Sequence, residues 1–444
     1  MYIKRITIED LRSIARETID FLYPGRDRDA AFSDITSWPP RLPNLTLLVG
    51  NNGSGKTTIL DAIALTILAP VLPSSGYRPY SLVRRQPDGI MAPSARLGGE
   101  IVLHDGDAGP NAGYQNAVPI NLTIERRGDV EILPSSPAAF DLPVWSKMFE
   151  DRSSSFFLVG YGAQRRAEVL SSSDLTGRRK SRALRYERVA SLFEDQFPLM
   201  SLSAWLPALK DRDPVRFSET ITLFSRLLPE GIVFLNLLEG GDYLFSYNGT
   251  QVPFSGLSDG FRAYISWIGD LLYHLGLGDD LACPLDKRRG VVLVDEIDIL
   301  VHPRWQRTMM HTLGTVLPAL QFIFTTHSPL IVGSLERANI YFVGGSGPIT
   351  VSRPPEEVYG LSADQVLRSE VFGLESTRDP DFQEQLDDLS RRVTAGEPGA
   401  ARKLMHSAAL GAGIDSSLNN ETGDEDRPPD WVLQRAGKGQ TGEQ

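Results

Sequence analysis

The chain has one cysteine, Cys283, in 444 residues. No disulfide can close within it, and no thiolate cluster with metal-ligand spacing is available, which suits a reducing cytoplasm. An unbroken apolar leader is missing as well. The start, Met1-Tyr2-Ile3-Lys4-Arg5-Ile6, is charged and alternating, so export is not expected. The longest apolar stretch, Ile59 to Leu72, is interrupted by Asp61 and Pro70 and falls short of the roughly 20 residues a spanning helix needs. It reads as a buried helix, and no membrane contact is expected. A surplus of positive charge is also absent. With a formal net charge of -11 the surface as a whole repels nucleic acid, and any such contact requires a local basic patch. Internal repeats and heptad runs are lacking, which sets aside solenoids and long coiled coils.

What remains is the composition of a globular protein, 41% hydrophobic and 23% charged, with enough apolar residues for a sizeable core. Ile3, Ile6 and Ile8 start a strand, Thr18 to Phe21 suggests a second, and Leu45 to Val49 runs into a glycine loop followed by a helix to about Leu68. Glu100 to His104 and Ile120 to Arg126 predict a small antiparallel sheet beside a main parallel one. Phe156 to Val159 reads as a core strand ending at Gly160-Tyr161-Gly162, and Ala183 to Leu228 turns helical. Asn248-Gly249 sits between two β segments and favours a two-residue hairpin, since both positions need positive φ. Phe261, Tyr264, Ile265, Ile268, Leu271 and Leu275 fall at helical spacing, and the runs Val291 to Val294 and Gln321 to Thr326 suit strands covered on both faces. Phe382, Leu386, Leu389 and Val393 predict a helical appendix. From about Ala412 there are 7 acidic and 3 basic residues without apolar periodicity, the composition of a disordered tail.

Gly50-Asn51-Asn52-Gly53-Ser54-Gly55-Lys56-Thr57 satisfies the phosphate-loop pattern in full, between an apolar strand and a helix. Its glycines let N–H groups converge on phosphate oxygens, and the helix N-terminus adds positive potential. Lys56 would reach the β and γ phosphates, and Thr57 would give its hydroxyl to Mg²⁺. Asp295-Glu296 follows the apolar run Val291-Val292-Leu293-Val294, at the strand end where open α/β sheets bind ligands. Asp295 is the candidate metal residue and Glu296 the candidate for orienting the attacking water. Thr325-Thr326-His327-Ser328 ends the next apolar strand, where His327 could donate to a γ phosphate and sense its loss. Leu257-Ser258-Asp259-Gly260 opens a periodic helix. Alone it would be a simple cap, for which serine suits.

Taken together, the phosphate loop, this short turn, the acidic strand end and the strand-end histidine resemble the ATP-binding cassette ATPases of the SMC and RecF type within the AAA family. Asp295-Glu296-Ile297-Asp298, His302-Pro303-Arg304-Trp305-Gln306-Arg307 and Thr325-Thr326-His327-Ser328-Pro329 are similar to one bacterial branch. That branch is described as predicted ATP-binding proteins involved in virulence, and it is related to ATPases of Septu, retron and PARIS antiphage systems. The resemblance covers about residues 1 to 375. It implies ATP and Mg²⁺ sandwiched between two heads, Ser258 and Gly260 of one facing the phosphates held by Asn51, Asn52, Gly53, Ser54, Gly55, Lys56, Thr57 and Thr58 of the other. It also implies that Arg12 approaches the nucleotide and that Gln164 lies in the loop reporting on Mg²⁺ and the γ phosphate. Asp259 departs from the common Leu-Ser-Gly-Gly form, with Arg262 as its candidate counter-charge.

The expected architecture is α/β, a phosphate-loop NTPase of ABC-ATPase type with an antiparallel β subdomain, a helical lid and a short helical appendix. Its segments are an ATPase lobe over 1–165, a basic helical insertion over 166–230, a second lobe over 231–352, the appendix over 353–411 and the tail over 412–444. The expected activity is ATP hydrolysis by a homodimer or higher homo-oligomer controlling a separate effector protein. A RecF-like repair ATPase is one alternative. Residues 160 to 190 carry 8 basic and 3 acidic side chains, so DNA or RNA could bind through 165–188. A non-hydrolysing nucleotide-dependent scaffold is the other alternative.

Overall fold

The computed structural model describes residues 1–86, 89–103, 117–133, 145, 148–149, 156–165, 184–194, 197–277, 283–345 and 347–410. In chain order the strands are β1 (Tyr2–Leu11), β2 (Ile14–Asp20), β3 (Leu45–Val49), β4 (Ser94–Val102), β5 (Ala117–Arg127), β6 (Val130–Ile132) and β7 (Leu158–Tyr161). They continue as β8 (Ile232–Glu239), β9 (Asp242–Tyr247), β10 (Thr250–Pro253), β11 (Gly290–Val294), β12 (Leu320–Thr326), β13 (Ile340–Gly344) and β14 (Thr350–Ser352). A six-stranded sheet has the order β14-β13-β3-β12-β11-β7, all parallel except β14. A five-stranded antiparallel sheet has the order β2-β1-β4-β5-β6, and a three-stranded one the order β10-β9-β8.

Alternation within the parallel strands explains the layering. On β3, Leu45, Leu47 and Val49 face one side and Leu48 the other; on β11, Val292 and Val294 oppose Val291 and Leu293. The first face packs on helices Leu202–Arg212, Pro214–Leu227, Asp259–Gly276 and Pro303–Val316, the second on helix Lys56–Leu68 and the antiparallel sheet. Each fully buried Val, Leu, Ile or Phe contributes about 1.5–3 kcal/mol. A parallel strand covered on both sides therefore reads as an unbroken apolar run. Gln321, completely buried in β12, fastens the layers. It accepts from Ile3 N and donates to Ile3 O and Leu22 O, each at 2.8 Å.

Several expected boundaries move. β2 begins at Ile14, four residues before Thr18, and β4 begins at Ser94, six before Glu100. Gly98 and Gly99 disfavour a strand, but β1 and β5 pair with β4 on both sides and hold it extended. The hairpin at Asn248-Gly249 forms between β9 and β10, with Asn248 and Gly249 both at positive φ. β8 completes that sheet and was not expected. A register shift between Phe234 and Leu238, with Asn236 at φ 54, breaks its alternation. β13 is five residues long and β14 three, too short to establish a period.

The lid begins with one-turn helices Leu184–Glu187 and Ala190–Phe193, and Pro214 opens helix Pro214–Leu227 at its first turn. Among the described residues no helix is long and apolar enough to cross a membrane. Contacts divide the chain into two compact units, Met1–Gly373 and Leu374–Gln444. In the second unit helices Pro380–Thr394 and Ala400–Leu410 pack together, and Asp379 caps the first by accepting from Asp381 N and Phe382 N. The tail over 412–444 lies outside the described residues.

Asp61 is buried on helix Lys56–Leu68, and Arg12 Nη1 donates to its Oδ2 at 2.8 Å. Burial pushes the Asp61 carboxyl up to about 7, with Asp295 adding to the rise and Arg12 opposing it. A carboxyl raised on folding adds stability below its unfolded value near 3.9 and loses that contribution as pH climbs through the folded value. Asp61→Asn should therefore gain on the wild type between pH 5 and pH 8, by about 1.4 kcal/mol at most per pH unit up to neutrality and by no more above it. Urea unfolding at the two pH values measures this, and a pH-independent difference would contradict a carboxyl titrating near 7.

Candidate functional site

Neighbouring parallel strands end at the same sheet edge, so the loops after β3, β12, β11 and β7 lie side by side in that order. These four loops carry the phosphate loop, His327, Asp295-Glu296 and Gln164. Residues spread over more than 270 positions thus converge on one rim.

Gly55 makes the turn from loop to helix. It caps helix Lys56–Leu68 at φ 96, a conformation that costs a side-chain-bearing residue much more. Asn51, Asn52 and Gly53 are exposed, as binding to a phosphate requires, and Ser54 is half-buried with its hydroxyl unpartnered among the described residues. Lys56 Nζ folds back and donates to Gly50 O at 2.8 Å and Asn51 O at 2.9 Å. Burial lowers its affinity for a proton, while Asp295, Glu296 and Asp298 oppose the change.

Two of the three candidate metal residues, Thr57 and Asp295, meet directly, and Gln164 is not in contact with them in any described hydrogen bond. Thr57 Oγ1 donates to Asp295 Oδ2 at 2.8 Å, and Thr325 Oγ1 donates to Asp295 Oδ1 at 2.5 Å. Thr325 Oγ1 also accepts from Glu296 N at 2.7 Å. A hydroxyl and a carboxylate in contact are hard oxygen donors, the kind Mg²⁺ takes beside phosphate oxygens. The residues present fit that ion.

Glu296 is half-buried with φ 46, a left-handed conformation uncommon for a non-glycine residue. Burial raises its carboxyl above the ordinary range, and the like charges of Asp295 and Asp298 add to this. His327 is half-buried. Burial and the cation of Lys56 lower its pKa, favouring the neutral imidazole at physiological pH. Its backbone N donates to Asp298 Oδ1 at 3.3 Å, and Thr326 Oγ1 donates to the same oxygen at 2.5 Å. Gln306 donates to Val301 O at 2.8 Å and accepts from Ser328 Oγ at 2.6 Å, joining the loop beyond the acidic pair to the residue after His327.

Gln164 is exposed just beyond β7, on the strand beside β11. Arg12 sits at φ 47 in the β1–β2 turn, against the phosphate-loop helix through Asp61 and, at 3.4 Å, Thr58. Thr58 is buried and meets Arg12 rather than solvent. Ser258 begins helix Asp259–Gly276 but makes no capping hydrogen bond through its side chain. It is exposed, with its hydroxyl directed to no cap. Arg262 pairs with Asp259, as expected. Gly260 is forced by close approach, because a Cβ there would lie 2.1 Å from Leu300 O.

Further along that helix Asp270 accepts from Tyr161 Oη at 2.9 Å and Met200 N at 2.8 Å, with His274 Nε2 at 3.3 Å. Burial disfavours the Asp270 charge, but His274, Met200 N and Tyr161 together hold its pKa below the ordinary range.

Two residues at the rim carry no signal of their role in the sequence: Thr325, and Arg165, which stands there only as one of a basic stretch. Arg165 is buried, with Nη1 donating to Asp295 O at 2.9 Å and Nη2 to Glu296 O at 2.7 Å. Its adjacency to Gln164 is the only hint in the sequence. Among its described residues the basic stretch is less exposed than its composition suggests. Arg185 is buried 4.5 Å from the Phe156 ring centroid, and Arg188 is half-buried 6.0 Å from that of Phe157. Residues 166–183 of the nucleic-acid expectation lie outside the described residues.

Residues 150–333 match a family described as "AAA domain, putative AbiEii toxin, Type IV TA system", and residues 5–105 match one described as "AAA domain". The Septu protein PtuA of Bacillus mycoides is 25% identical over 420 residues, 90% of this chain and 49% of that protein. The Retron Vc95 probable ATPase of Vibrio cholerae is 36% identical over 97 residues, 22% of this chain and 19% of that protein. The chain therefore spans about half or less of the length of these curated relatives. An Smc head domain with an extended coiled coil, bound to the C-terminal domain of ScpA and derived from Pyrococcus furiosus, superposes with a TM-score of 0.47. It is 14% identical, over 83% of this chain and 98% of that one. The chain thus has two segments that match AAA domains, is similar to Septu and retron ATPases, and has an α/β fold in which the phosphate loop joins a parallel strand to a helix.

Gly260→Ala should lower the urea midpoint at an unchanged m-value, by the roughly 1–3 kcal/mol that overpacking costs. A wild-type midpoint would show that Leu300 yields freely and that the close approach is not required.

Proposed function

We propose that this chain binds ATP with Mg²⁺ and hydrolyses it within a nucleotide-sandwiched homodimer, and that the cycle controls a separate effector in antiphage defence. The observation that carries the ATPase reading is the hydrogen bond from Thr57 to Asp295 beside a complete phosphate loop. In this reading Lys56 and the loop N–H groups bind the phosphates. Thr57 and Asp295 would hold the ion, with Gln164 as a further candidate, and it would supply positive charge against the phosphates. Glu296 orients a water for in-line attack on the γ phosphorus. The bond from that phosphorus to the β–γ bridging oxygen breaks, ADP leaves, and the water proton passes toward Glu296 or the phosphate. Neutral His327 donates to a γ-phosphate oxygen, and that hydrogen bond breaks when phosphate departs.

The dimer reading draws support from the turn at Ser258. Its exposed hydroxyl, spared from capping, suits a partner's phosphate, and the neighbouring Leu300 is 61% exposed. An isolated exposed leucine is ordinary, but one packed against Gly260 fits a face buried on association. The effector reading draws on similarity to the Septu and retron ATPases. A DNA clamp is less favoured, because Arg165, Arg185 and Arg188 are not free surface cations.

Glu296→Gln should leave nucleotide binding intact, slow turnover at least about a hundredfold and accumulate an ATP-bound dimer. Light scattering with and without ATP reads the mass, and an ATP-independent monomer defeats the sandwich. A wild-type chain that binds but never hydrolyses ATP would favour a scaffold. Asp259→Gly removes the charge that Arg262 offsets and should tighten ATP-driven association severalfold; unchanged association would make that aspartate a neutral variation.

A further inference from the structure

We infer that Arg165 is a positioning residue for hydrolysis, a rigid clamp that fixes the backbone from which the Glu296 side chain projects and ties it to the Gln164 loop. The inference rests on the ATPase reading above. Arg165 is 4% exposed, and its hydrogen bonds go to the carbonyls of two consecutive residues, Asp295 at 2.9 Å and Glu296 at 2.7 Å. A guanidinium is planar, so two nitrogens of one fork fix the relative orientation of the peptide units they hold.

The peptide units are those that matter. Glu296 has φ 46, a conformation that relaxes unless its surroundings enforce it. Thr325 Oγ1 holds the Glu296 N–H at 2.7 Å, and Arg165 holds the Glu296 carbonyl. With both sides of its Cα pinned, the Cα–Cβ bond has a fixed direction, and the carboxylate is left only its side-chain torsions. Asp295 cannot take over this work, since its own two oxygens receive Thr57 and Thr325.

Charge burial argues that the clamp is more than filler. A guanidinium taken out of water is costly, and here, among the described residues, it meets two main-chain carbonyls and no carboxylate at hydrogen-bond distance. A smaller neutral group could fill space at less cost. Position adds the second half of the inference. Arg165 directly follows Gln164, and Asp295 N donates to Tyr161 O at 2.8 Å, so β7 and the acidic turn are already paired up to this point. A displacement of the Gln164 loop would reach Glu296 through one stiff group.

The test uses the full chain with R165K, which keeps the charge but loses the planar fork. Steady-state ATP turnover, titration with a fluorescent ATP analogue and urea unfolding are measured together. The expected result is kcat lower by about 10- to 100-fold, with KM and nucleotide affinity within about threefold and the unfolding midpoint near wild type. If R165K does not fold, R165Q is read by the same criteria. Wild-type kcat in the folded variant overturns the inference, and so does a parallel fall in kcat, affinity and unfolding midpoint. A wild-type chain without ATP turnover overturns the proposed function and this inference with it. Normal wild-type turnover alongside an unaffected R165K overturns this inference alone.

Discussion

One carboxylate organises the rim of the parallel sheet. Asp295 receives the hydroxyl of Thr57 from beyond β3 and that of Thr325 from β12, and its backbone N pairs with Tyr161 at the end of β7. Four adjacent strands are thereby referenced to a single residue. Both hydroxyls are neutral donors, and together they hold the carboxylate fixed in place. Its neighbour Glu296 is treated differently, lifted above the ordinary carboxylate range by burial and by the charge of Asp295 itself. Two adjacent acids thus sit in different surroundings, one held by two hydroxyls and the other half-buried beside like charge.

The parts of this site legible in the sequence are those whose chemistry is contiguous. The phosphate loop is a backbone structure eight residues long, and its glycines are themselves the signal. Asp295-Glu296 and His327 were legible because an apolar strand announces where its carboxyl end falls, and parallel strands share that edge. Arg165 and Thr325 were not, since each acts on a group reached only across the sheet, and nothing local distinguishes an inward arginine from a solvated one. The same limit explains the basic stretch: charge can be counted along the chain, but Arg185 and Arg188 lie against aromatic rings that only folding brings near.

The fold shows a similar division. Strands with both faces covered were evident as apolar runs, and the hairpin announced itself through Asn248-Gly249. β8 and the start of β4 owe their conformation to partners rather than to their own propensity. The helix opened by Ser258 is joined to β7 through Asp270 and Tyr161. That buried hydrogen bond links helix Asp259–Gly276 to the strand leading to Gln164, across the boundary anticipated from sequence between two lobes.

Gln321 gives this architecture a consequence in time. It fastens the N-terminal strand to β12, and β3, with its phosphate loop, is flanked in the sheet by β12 and β13. During synthesis β3 leaves the ribosome some 270 residues ahead of β12, a wait of about 15 to 55 s at ordinary elongation rates of 5–20 residues per second. Throughout that interval the strand that leads into the phosphate loop has neither lateral neighbour. The nascent chain must shield an apolar ribbon that later becomes its centre, and the phosphate loop gains its flanking strands only once β12 and β13 have emerged.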